Sequence, residues 1–501
     1  MRFLYPLTTA VGVAGLLVTP NLAPSNQHQP LILPNVGGPI YSDSQQKPLL
    51  LKTGSKYSVR EQTKDICDAG SRQWTGWAHV SDEKSLFFWF FESRNDPLND
   101  PVMIWMNGGP GGSSMMGLFS EIGPCLANGD GNSTYLNEHS WTNFANVIFL
   151  DQPAGVGFSM MNNSTMGGPD NELEASRDFD KFLSIFFSEA FPNFSHLPLH
   201  ITGESFGGTY VPGFVDYISR RQQLGVPGIY GNRIHSITLV DAVIELLGSG
   251  SLGQYDHMCR FNKHGENKLR LGYNQSTCGE IEKAVPECER LNRQCVESYD
   301  GNICRAAFDF CIEKIESFVN PQLGGRYPYD DRVICNGTLP LCGMDWYDEY
   351  LNSVHVQKAL GLDRWNFSSI NWDLNSRWDV SNEMFIPTTR ELAYILDETP
   401  TRVLVLNGNN DIIVNTEGQK RVYDQQSWGH QAKYRMETFA DWSWPDKSGK
   451  LSKGGEFKAV DKLAFVSVDE AGHTSPGDQR EAVAFLMKCW LRVGEDAACP
   501  I

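Results

Sequence analysis

Apolar runs of strand length alternate with segments of helical character along most of the chain. Buried strands are predicted, in chain order, at 85–93, 101–107, 146–153, 199–202, 401–411 and 462–473. Residues 175–191 have the apolar spacing of a helix, and 478–493 are predicted to form a closing helix. Apolar strands connected by helices are typical of a largely parallel sheet with helices on its faces.

The alternation is interrupted between 246 and 385. This stretch contains eight of the twelve cysteines, from Cys259 to Cys342, together with short helical pieces. It is predicted to be an insertion held by disulfides rather than one built around a large core of its own. We therefore predict one discontinuous α/β domain, with a first core part at 63–245, a cap insertion at 246–385 and a second core part at 386–501.

The N-terminal residues have the character of a secretory signal. One arginine, a short apolar run and then small residues predict a signal peptide over 1–22, with a buried N-terminal helix as the alternative. Residues 23–62 are predicted to be an arm or a pro-segment. No later segment has the roughly eighteen consecutive apolar residues of a membrane span, so no membrane anchor is predicted.

Cysteine usage and glycosylation motifs agree with a secretory route. The twelve cysteines are an even number and lack the close C-x-x-C pairs typical of zinc sites, so disulfides are predicted and a metal is not. Seven N-x-S/T motifs are candidate glycosylation sites, beginning at Asn132, Asn162, Asn163, Asn193, Asn274, Asn336 and Asn366.

The charge balance argues against some partners. Sixty acidic and 42 basic residues give a formal net charge of −18. Nucleic acids and anionic membranes attract clustered lysine and arginine, so neither is a predicted partner. An acidic protein of this kind suits an acidic compartment.

A G-x-S-x-G motif around Ser205 is the main candidate for chemistry. It follows an apolar run and precedes a possible helix, which is the context of a nucleophile elbow; a purely structural turn is the alternative. A serine nucleophile needs a histidine base and a carboxylate, expected in the order serine, acid, histidine. Asp411 and His473 fit that order beyond two predicted strands. His430 is the nearest competitor, but its polar neighbours predict a surface turn.

The glycine-rich residues 107–114, NGGPGGSS, follow another predicted strand. A phosphate-binding loop is one interpretation, but the lysine of that motif is missing. An oxyanion hole is the better one, because bare backbone N–H groups can come close to the serine. We predict Gly109 and Phe206, the residue after the nucleophile, as its donors.

Together these segments resemble the serine carboxypeptidases. The resemblance rests on seven ordered motifs, ESRNDP, WMNGGPGGSS, GLFSEIGP, NVIFLDQPAGVGFS, GESFGGTYVPGF, NGNND and AGHTSP, and extends from about Cys67 to the C-terminus. It implies an α/β-hydrolase fold with a mostly parallel sheet and a disulfide-rich, largely helical cap. It also implies a cofactor-free enzyme that removes single residues from peptide C-termini through an acyl-enzyme, best at acid pH.

The resemblance further implies that Asn107, Glu121 and Glu204, with Trp105 assisting, hold the terminal carboxylate of the substrate. Two buried glutamates close together cannot both ionise cheaply, so we expect one pKa well above the ordinary value of about 4.3 and a proton shared by the pair. Glu204 is then a specificity element that is neutral when peptides bind.

The disulfide pairs are implied by the resemblance as well: Cys259–Cys278, Cys288–Cys311, Cys295–Cys304, Cys335–Cys342, Cys67–Cys125 and Cys489–Cys499. Three positions depart from the family. Gly112 replaces a common cysteine and 366–372 offer it no partner, so that bridge is not expected. Val414 replaces a frequent free cysteine, and VDAVIEL at 240–246 replaces a GNG segment.

Two other functions stay open at this point. One is an acyltransferase or esterase on the same scaffold, and the other is a non-catalytic binding protein. The expected substrates are C-termini of peptides or proteins, the expected location is secreted or vacuolar, and the chain is expected to be a monomer or a homodimer.

Overall fold

The structure, a computed structural model, describes residues 56–162, 168–226, 233–260, 275–318, 326–335, 342, 346–446 and 448–491. The predicted signal peptide and nearly all of the predicted arm lie outside these ranges, as do Asn163, Asn274, Asn336 and Cys499.

A central sheet of twelve strands organises the described chain. Its strands are β1 (Tyr57–Glu61), β2 (Gln73–His79), β3 (Lys84–Phe91), β4 (Val102–Met106), β7 (Asn146–Leu150), β8 (Met160–Met161), β9 (Leu199–Glu204), β10 (Ile234–Val240), β13 (Arg402–Gly408), β14 (Ala440–Pro445), β15 (Leu451–Val460) and β16 (Leu463–Val468). Two further sheets have two strands each: β5 (Cys125–Ala127) with β6 (Thr134–Leu136), and β11 (Arg326–Tyr327) with β12 (Asp330–Ile334).

The middle of the central sheet is parallel. Strands β7, β4, β9, β10, β13 and β16 lie side by side in that order, and each pair is parallel. Antiparallel strands extend the sheet at both edges. All six predicted strands are present, but β10 was not predicted, because His235, Ser236 and Thr238 interrupt its apolar residues. The predicted α/β fold with a mostly parallel sheet is confirmed.

Helices cover the sheet. They are α1 (Met115–Ser120), α2 (Glu172–Ile185), α3 (Gly207–Gln223), α4 (Leu246–Ser249), α5 (Ser251–Tyr255), α6 (Gln275–Ser298), α7 (Gly301–Lys314), α8 (Trp346–Asn352), α9 (Val354–Leu360), α10 (Trp372–Val380), α11 (Thr389–Glu398), α12 (Thr416–Gln425), α13 (Gln431–Met436), α14 (Ser475–Asp478) and α15 (Arg480–Leu491). The helices predicted at 175–191 and 478–493 correspond to α2 and α15.

Both faces of the middle of the sheet are buried, which explains the continuous apolar strands of the sequence. In β3, Phe88 and Phe90 pack into the core on one face, whereas Phe87, Trp89 and Phe91 pack into a separate core on the other. Successive side chains of a strand point to opposite faces, so an uninterrupted aromatic run fills both cores.

The chain leaves the central sheet after β10 and returns to it at β13. Between them lie helices α4 to α11 and the β11–β12 hairpin, and none of these described elements adds a strand to the central sheet. The long helices α6 and α7 carry Cys288, Cys295, Cys304 and Cys311, which are buried against one of the two cores. The predicted cap therefore lies directly on the sheet domain.

Candidate active site

Five neighbouring parallel strands end in polar residues at one edge of the sheet. In spatial order, β4 is followed by Asn107, β9 ends with Glu204, β10 is followed by Asp241, and the loops after β13 and β16 carry Asp411 and His473. The carboxyl ends of parallel strands are where open α/β sheets bind their ligands. This edge is the candidate active site.

Ser205 occupies a sharp turn between β9 and α3. Its φ of 60° lies in the left-handed region, which is unusual for a residue other than glycine. The turn needs small neighbours: a Cβ on Gly203 would lie 2.6 Å from a Val211 methyl group and 2.7 Å from the carbonyl oxygen of Gly207. The serine itself is only half-buried, so the geometry has the properties of a nucleophile elbow.

Asp411 and His473 are in direct contact. His473 Nδ1 lies 2.6 Å from Asp411 Oδ2, and both side chains are buried. The other carboxylate oxygen, Oδ1, accepts the backbone N–H groups of Ile413 and Val414 at 2.9 and 3.1 Å. These bonds fix the carboxylate, so that it orients the imidazole and leaves Nε2 for proton transfer. His430, the competing base, is exposed on the surface and faces Asp461 at 3.7 Å.

The glycine-rich stretch lies against the residue that follows the serine. A Cβ on Gly108 would be 2.3 Å from the backbone nitrogen of Phe206. Gly109 has a φ of 113°, which L side chains rarely adopt. Glycine is therefore required for this close approach, and it brings the two predicted oxyanion-hole segments together.

Glu121 and Glu204 form a buried pair next to the serine. The two carboxyl groups are close enough for each to affect the pKa of the other. Neither oxygen of Glu121, nor Oε2 of Glu204, receives a hydrogen bond from the described part of the chain. Burial raises the pKa of Glu121 to about 7, and burial together with the Glu121 charge raises the pKa of Glu204 well above its ordinary value.

Asn107 holds one side of this pair. Its Nδ2 donates to Glu204 Oε1 at 2.8 Å. Its Oδ1 accepts the indole N–H of Trp105 at 2.8 Å and the backbone N–H of Gly117 at 3.1 Å. The two donors to Oδ1 fix the orientation of the amide, and Trp105 supplies one of them. The pair also lies near the histidine, because His473 is among the charges that affect Glu121.

The β11–β12 hairpin, which was not predicted, packs on the acid and histidine loops. The Tyr329 ring contacts the His473 ring edge to face at 4.9 Å, and its carbonyl accepts the His473 N–H at 2.8 Å. Asp331 and Asn410 exchange a backbone bond of 3.0 Å and a side-chain bond of 2.7 Å. The only signal was a tyrosine-rich turn, RYPYDD, within the cysteine-rich insertion.

Five of the six implied disulfides are present: Cys67–Cys125, Cys259–Cys278, Cys288–Cys311, Cys295–Cys304 and Cys335–Cys342. The sixth includes Cys499, which lies outside the described residues. At Gly112, where no bridge was expected, the backbone forms a pairing instead: Gly112 lies opposite Ile370, and the Ser113 N–H donates to the Ser369 carbonyl at 2.8 Å.

Within the described ranges, no helix combines the length and the apolar character needed to cross a membrane. The same ranges contain no group of three or more histidine, cysteine, aspartate or glutamate side chains placed to hold a metal ion.

Comparison with known proteins identifies the family. The family described as serine carboxypeptidase matches residues 64–493. Carboxypeptidase Y homolog A of Phaeosphaeria nodorum is 34% identical over 427 residues, which cover 84% of this chain and 73% of that protein. Carboxypeptidase Y homolog A of Pyrenophora tritici-repentis is 34% identical over 449 residues, which cover 88% of this chain and 77% of that protein.

The chain belongs to the serine carboxypeptidase family. This serine carboxypeptidase is also similar to a solved structure, that of a prohormone-processing carboxypeptidase from Saccharomyces cerevisiae. The TM-score is 0.67 at 22% identity, over 88% of this chain and 96% of that one, which supports the shared fold. The predicted resemblance and the predicted enzyme class, a serine carboxypeptidase hydrolase, are both confirmed.

Proposed function

We propose that this serine carboxypeptidase releases single residues from peptides with a free C-terminus, through an acyl-enzyme and best at acid pH. The observation that carries the proposal is the buried Glu121–Glu204 pair beside Ser205. Three of its four carboxyl oxygens have no hydrogen-bond partner in the described part of the chain. Unsatisfied buried acceptors of this kind are costly unless a ligand or a proton satisfies them.

The Glu121–Glu204 pair can bind a substrate carboxylate only when the pair itself is protonated. Two ionised glutamates would repel a negative C-terminus, whereas protonated ones donate hydrogen bonds to it. Asn107 Nδ2, already 2.8 Å from Glu204, supplies a donor that carries no charge. Because Glu204 immediately precedes Ser205, a terminus bound there places the last peptide bond at the nucleophile. That spacing favours removal of one residue at a time.

The triad then performs acyl transfer. Ser205 Oγ attacks the scissile carbonyl carbon while its proton passes to His473 Nε2, and the oxyanion is stabilised by the N–H groups of Gly109 and Phe206. His473 returns the proton to the leaving amine, so the C–N bond breaks and a seryl ester remains. Water, deprotonated by His473, attacks the ester, and the proton goes back to Ser205 Oγ. Asp411 holds the imidazole throughout.

The acid preference follows from the raised pKa values. Glu121 ionises at a raised pKa of about 7, and the pKa of Glu204 is also well above its ordinary value, so the pair becomes progressively more negative as pH rises through and beyond neutrality. Peptide binding therefore weakens as pH rises through this range. An ester or a peptide amide lacks the terminal carboxylate and depends instead on a neutral His473, so its hydrolysis persists toward alkaline pH.

The test compares a blocked dipeptide with its C-terminal amide across pH. We expect the KM of the peptide to rise steeply with pH and that of the amide to stay flat. Glu204→Gln should flatten the peptide profile at high pH and weaken binding at low pH. Glu316→Gln is the matched control, because Glu316 is a buried carboxyl in the cap, bonded to Ser251 at 2.6 Å, and its pKa is raised to about 7. Equal pH dependence of KM for both substrates would contradict the proposal.

We also propose that the enzyme enters the secretory pathway and acts in the extracellular space or in a vacuole, as a monomer or homodimer. Five disulfides support an oxidising route. Four of the candidate glycosylation sites are exposed: Asn132, Asn162, Asn193 and Asn366. Loss of mass on endoglycosidase treatment of the purified protein would support glycosylation, and an unchanged mass would contradict it.

A further inference from the structure

Asp241 has no part in the mechanism above, although it ends the strand between those that lead to Ser205 and Asp411. It is fully buried, and its φ of 44° lies in the left-handed region, which aspartate tolerates better than most residues. Its backbone N–H donates to the Leu406 carbonyl at 2.7 Å. A buried carboxyl is costly unless its oxygens receive hydrogen bonds. The hydrogen-bond partners of Asp241 therefore indicate why a carboxyl is present here.

The Asp241 carboxylate connects two loops of the candidate triad. Oδ1 accepts the backbone N–H of Gly408 at 2.6 Å, three residues before Asp411. Oδ2 accepts the hydroxyl of Ser475 at 2.6 Å, two residues after His473. One side chain therefore binds the end of β13, where the loop with Asp411 begins, and the start of α14, where the loop with His473 ends.

The backbone beside Asp241 binds the third loop. The Ser205 N–H donates to the Val240 carbonyl at 3.0 Å, and the Val243 N–H donates to the Ser205 carbonyl at 2.9 Å. Residues 240–243 thus contact all three loops of the candidate triad through hydrogen bonds. We refer to them as the bracing loop.

We propose that Asp241 is a positioning residue for hydrolysis: it holds the Asp411 and His473 loops in register with Ser205 through its two accepted hydrogen bonds. The proposal rests on the triad assigned above. The charged groups that face Asp241 are the carboxyls of Asp411, Glu121 and Glu204, of which Asp411 and Glu121 add to the effect of burial in raising its pKa. A carboxyl retained beside three others is explained by its hydrogen bonds, since electrostatics alone disfavours it.

Substitutions can remove the two hydrogen bonds of the Asp241 side chain separately. Asp241→Ala removes both bonds, whereas Ser475→Ala removes only the bond to Ser475 and deletes one small buried hydroxyl. Asp241→Asn keeps an oxygen for the Gly408 N–H and offers an NH2 that the Ser475 hydroxyl can accept. Asparagine should therefore restore most of what alanine loses.

The experiment measures kcat and KM on an ester without a free carboxylate, so that the Glu121–Glu204 pair is not involved. Because misplacement of catalytic groups by about 1 Å can cost about 100-fold, we expect kcat to fall about 10- to 100-fold in Asp241→Ala and about 3- to 10-fold in Ser475→Ala, with KM nearly unchanged. The rate of labelling by an organophosphate should fall in parallel. Asp241→Asn should stay within about 3-fold of wild type, and the Asp241→Ala, Ser475→Ala double variant should be no slower than Asp241→Ala.

Glu316→Gln is the control for a purely structural effect, because it alters a buried carboxyl–serine bond away from the triad. It should change thermal stability and leave kcat unchanged. Wild-type kcat in Ser475→Ala would overturn the proposal, even where Asp241→Ala does not fold. Equal losses in Asp241→Asn and Asp241→Ala would also overturn it, because they would assign the effect to charge. Failure of the assigned triad is a separate result, shown by hydrolysis that survives Ser205→Ala.

Discussion

The sheet edge that bears the candidate triad and the cap that packs on it are held in place by different means. The edge is formed by five parallel strands whose two faces are both buried, and its loops are fixed by backbone hydrogen bonds. The cap has long helices joined by short-range disulfides, with sequence separations of 7 to 23 residues. The position of the candidate triad therefore depends on sheet packing, and the shape of the cap depends on covalent bonds.

The comparison also separates two kinds of function. The groups proposed to make and break bonds lie on the sheet edge, where neighbouring strands keep a fixed spacing. The cap contributes Tyr329, which touches His473 from outside. Changes at the edge should remove the chemistry, while changes in the cap should alter stability or binding and leave the chemistry in place.

The largest expected effect is loss of the triad. Ser205→Ala, Asp411→Asn and His473→Ala should each lower kcat by at least about 10,000-fold, with similar losses for the serine and histidine variants because the triad acts as a unit. Melting temperatures should stay close to wild type. His430→Ala is the control and should keep full activity, since His430 lies exposed on the surface. Retained turnover in His473→Ala together with loss in His430→Ala would make the assignment wrong.

Opening a cap disulfide should come next. Replacing Cys288 and Cys311 by alanine removes a bridge with a separation of 23 residues, which should lower the free energy of unfolding by about 2–4 kcal/mol. Under mild reduction, limited proteolysis should cut the cap before the sheet domain. Cleavage in the sheet domain first would contradict the comparison, and a Cys259–Cys288 crosslink in unreduced peptide maps would contradict the pairing.

The dependence of the free energy of unfolding on pH should show a smaller effect than loss of a disulfide. Burial raises the pKa of Asp151 to about 6 and that of Glu316 to about 7. A folded-state pKa above the unfolded one contributes stability that is present at acid pH and is lost as pH rises through about 6 to 7. The free energy of unfolding should therefore fall between about pH 4 and about pH 8.

Glu316→Gln should reduce that fall by on the order of 1–3 kcal/mol, since each pKa unit corresponds to about 1.4 kcal/mol. Denaturant titrations of both proteins at several pH values measure it. A wild-type stability that rises with pH over this range would show that these carboxyls are ionised in the folded state.

The smallest effect concerns the contact between cap and edge. Arg332 in the β11–β12 hairpin pairs with Asp330 and with Asp478, at 2.5 and 2.8 Å, and so connects the hairpin to helix α14, which follows His473. Arg332→Ala should lower kcat/KM about 2- to 5-fold, because partly exposed ion pairs contribute only about 1 kcal/mol. Lys453→Ala removes a surface ion pair with Asp441 and should change nothing. Equal effects of the two variants would show that the hairpin contact does not support the site.

The sequence alone was enough to predict the buried strands and the turn around Ser205, because both depend on residues close together in the chain. Continuous apolar runs could be recognised as strands buried on both faces, and the small residues around Ser205 are required by the turn itself. The order of Ser205, Asp411 and His473, each beyond a predicted strand, followed from the nucleophile-elbow motif. The role of the glutamate pair and the choice of disulfide partners came from the family resemblance, because eight cysteines alone allow about 105 pairings.

Only the tertiary structure decided which distant groups meet. It places the Tyr329 hairpin on His473, brings Asn107 to Glu204, and joins Asp241 to Gly408 and to Ser475. No periodicity in the sequence encodes these contacts, because they join segments up to 234 residues apart. They depend on the order in which the strands pair, and β10, which carries Asp241 to the centre of the site, has too mixed a pattern to be recognised before its neighbours are in place.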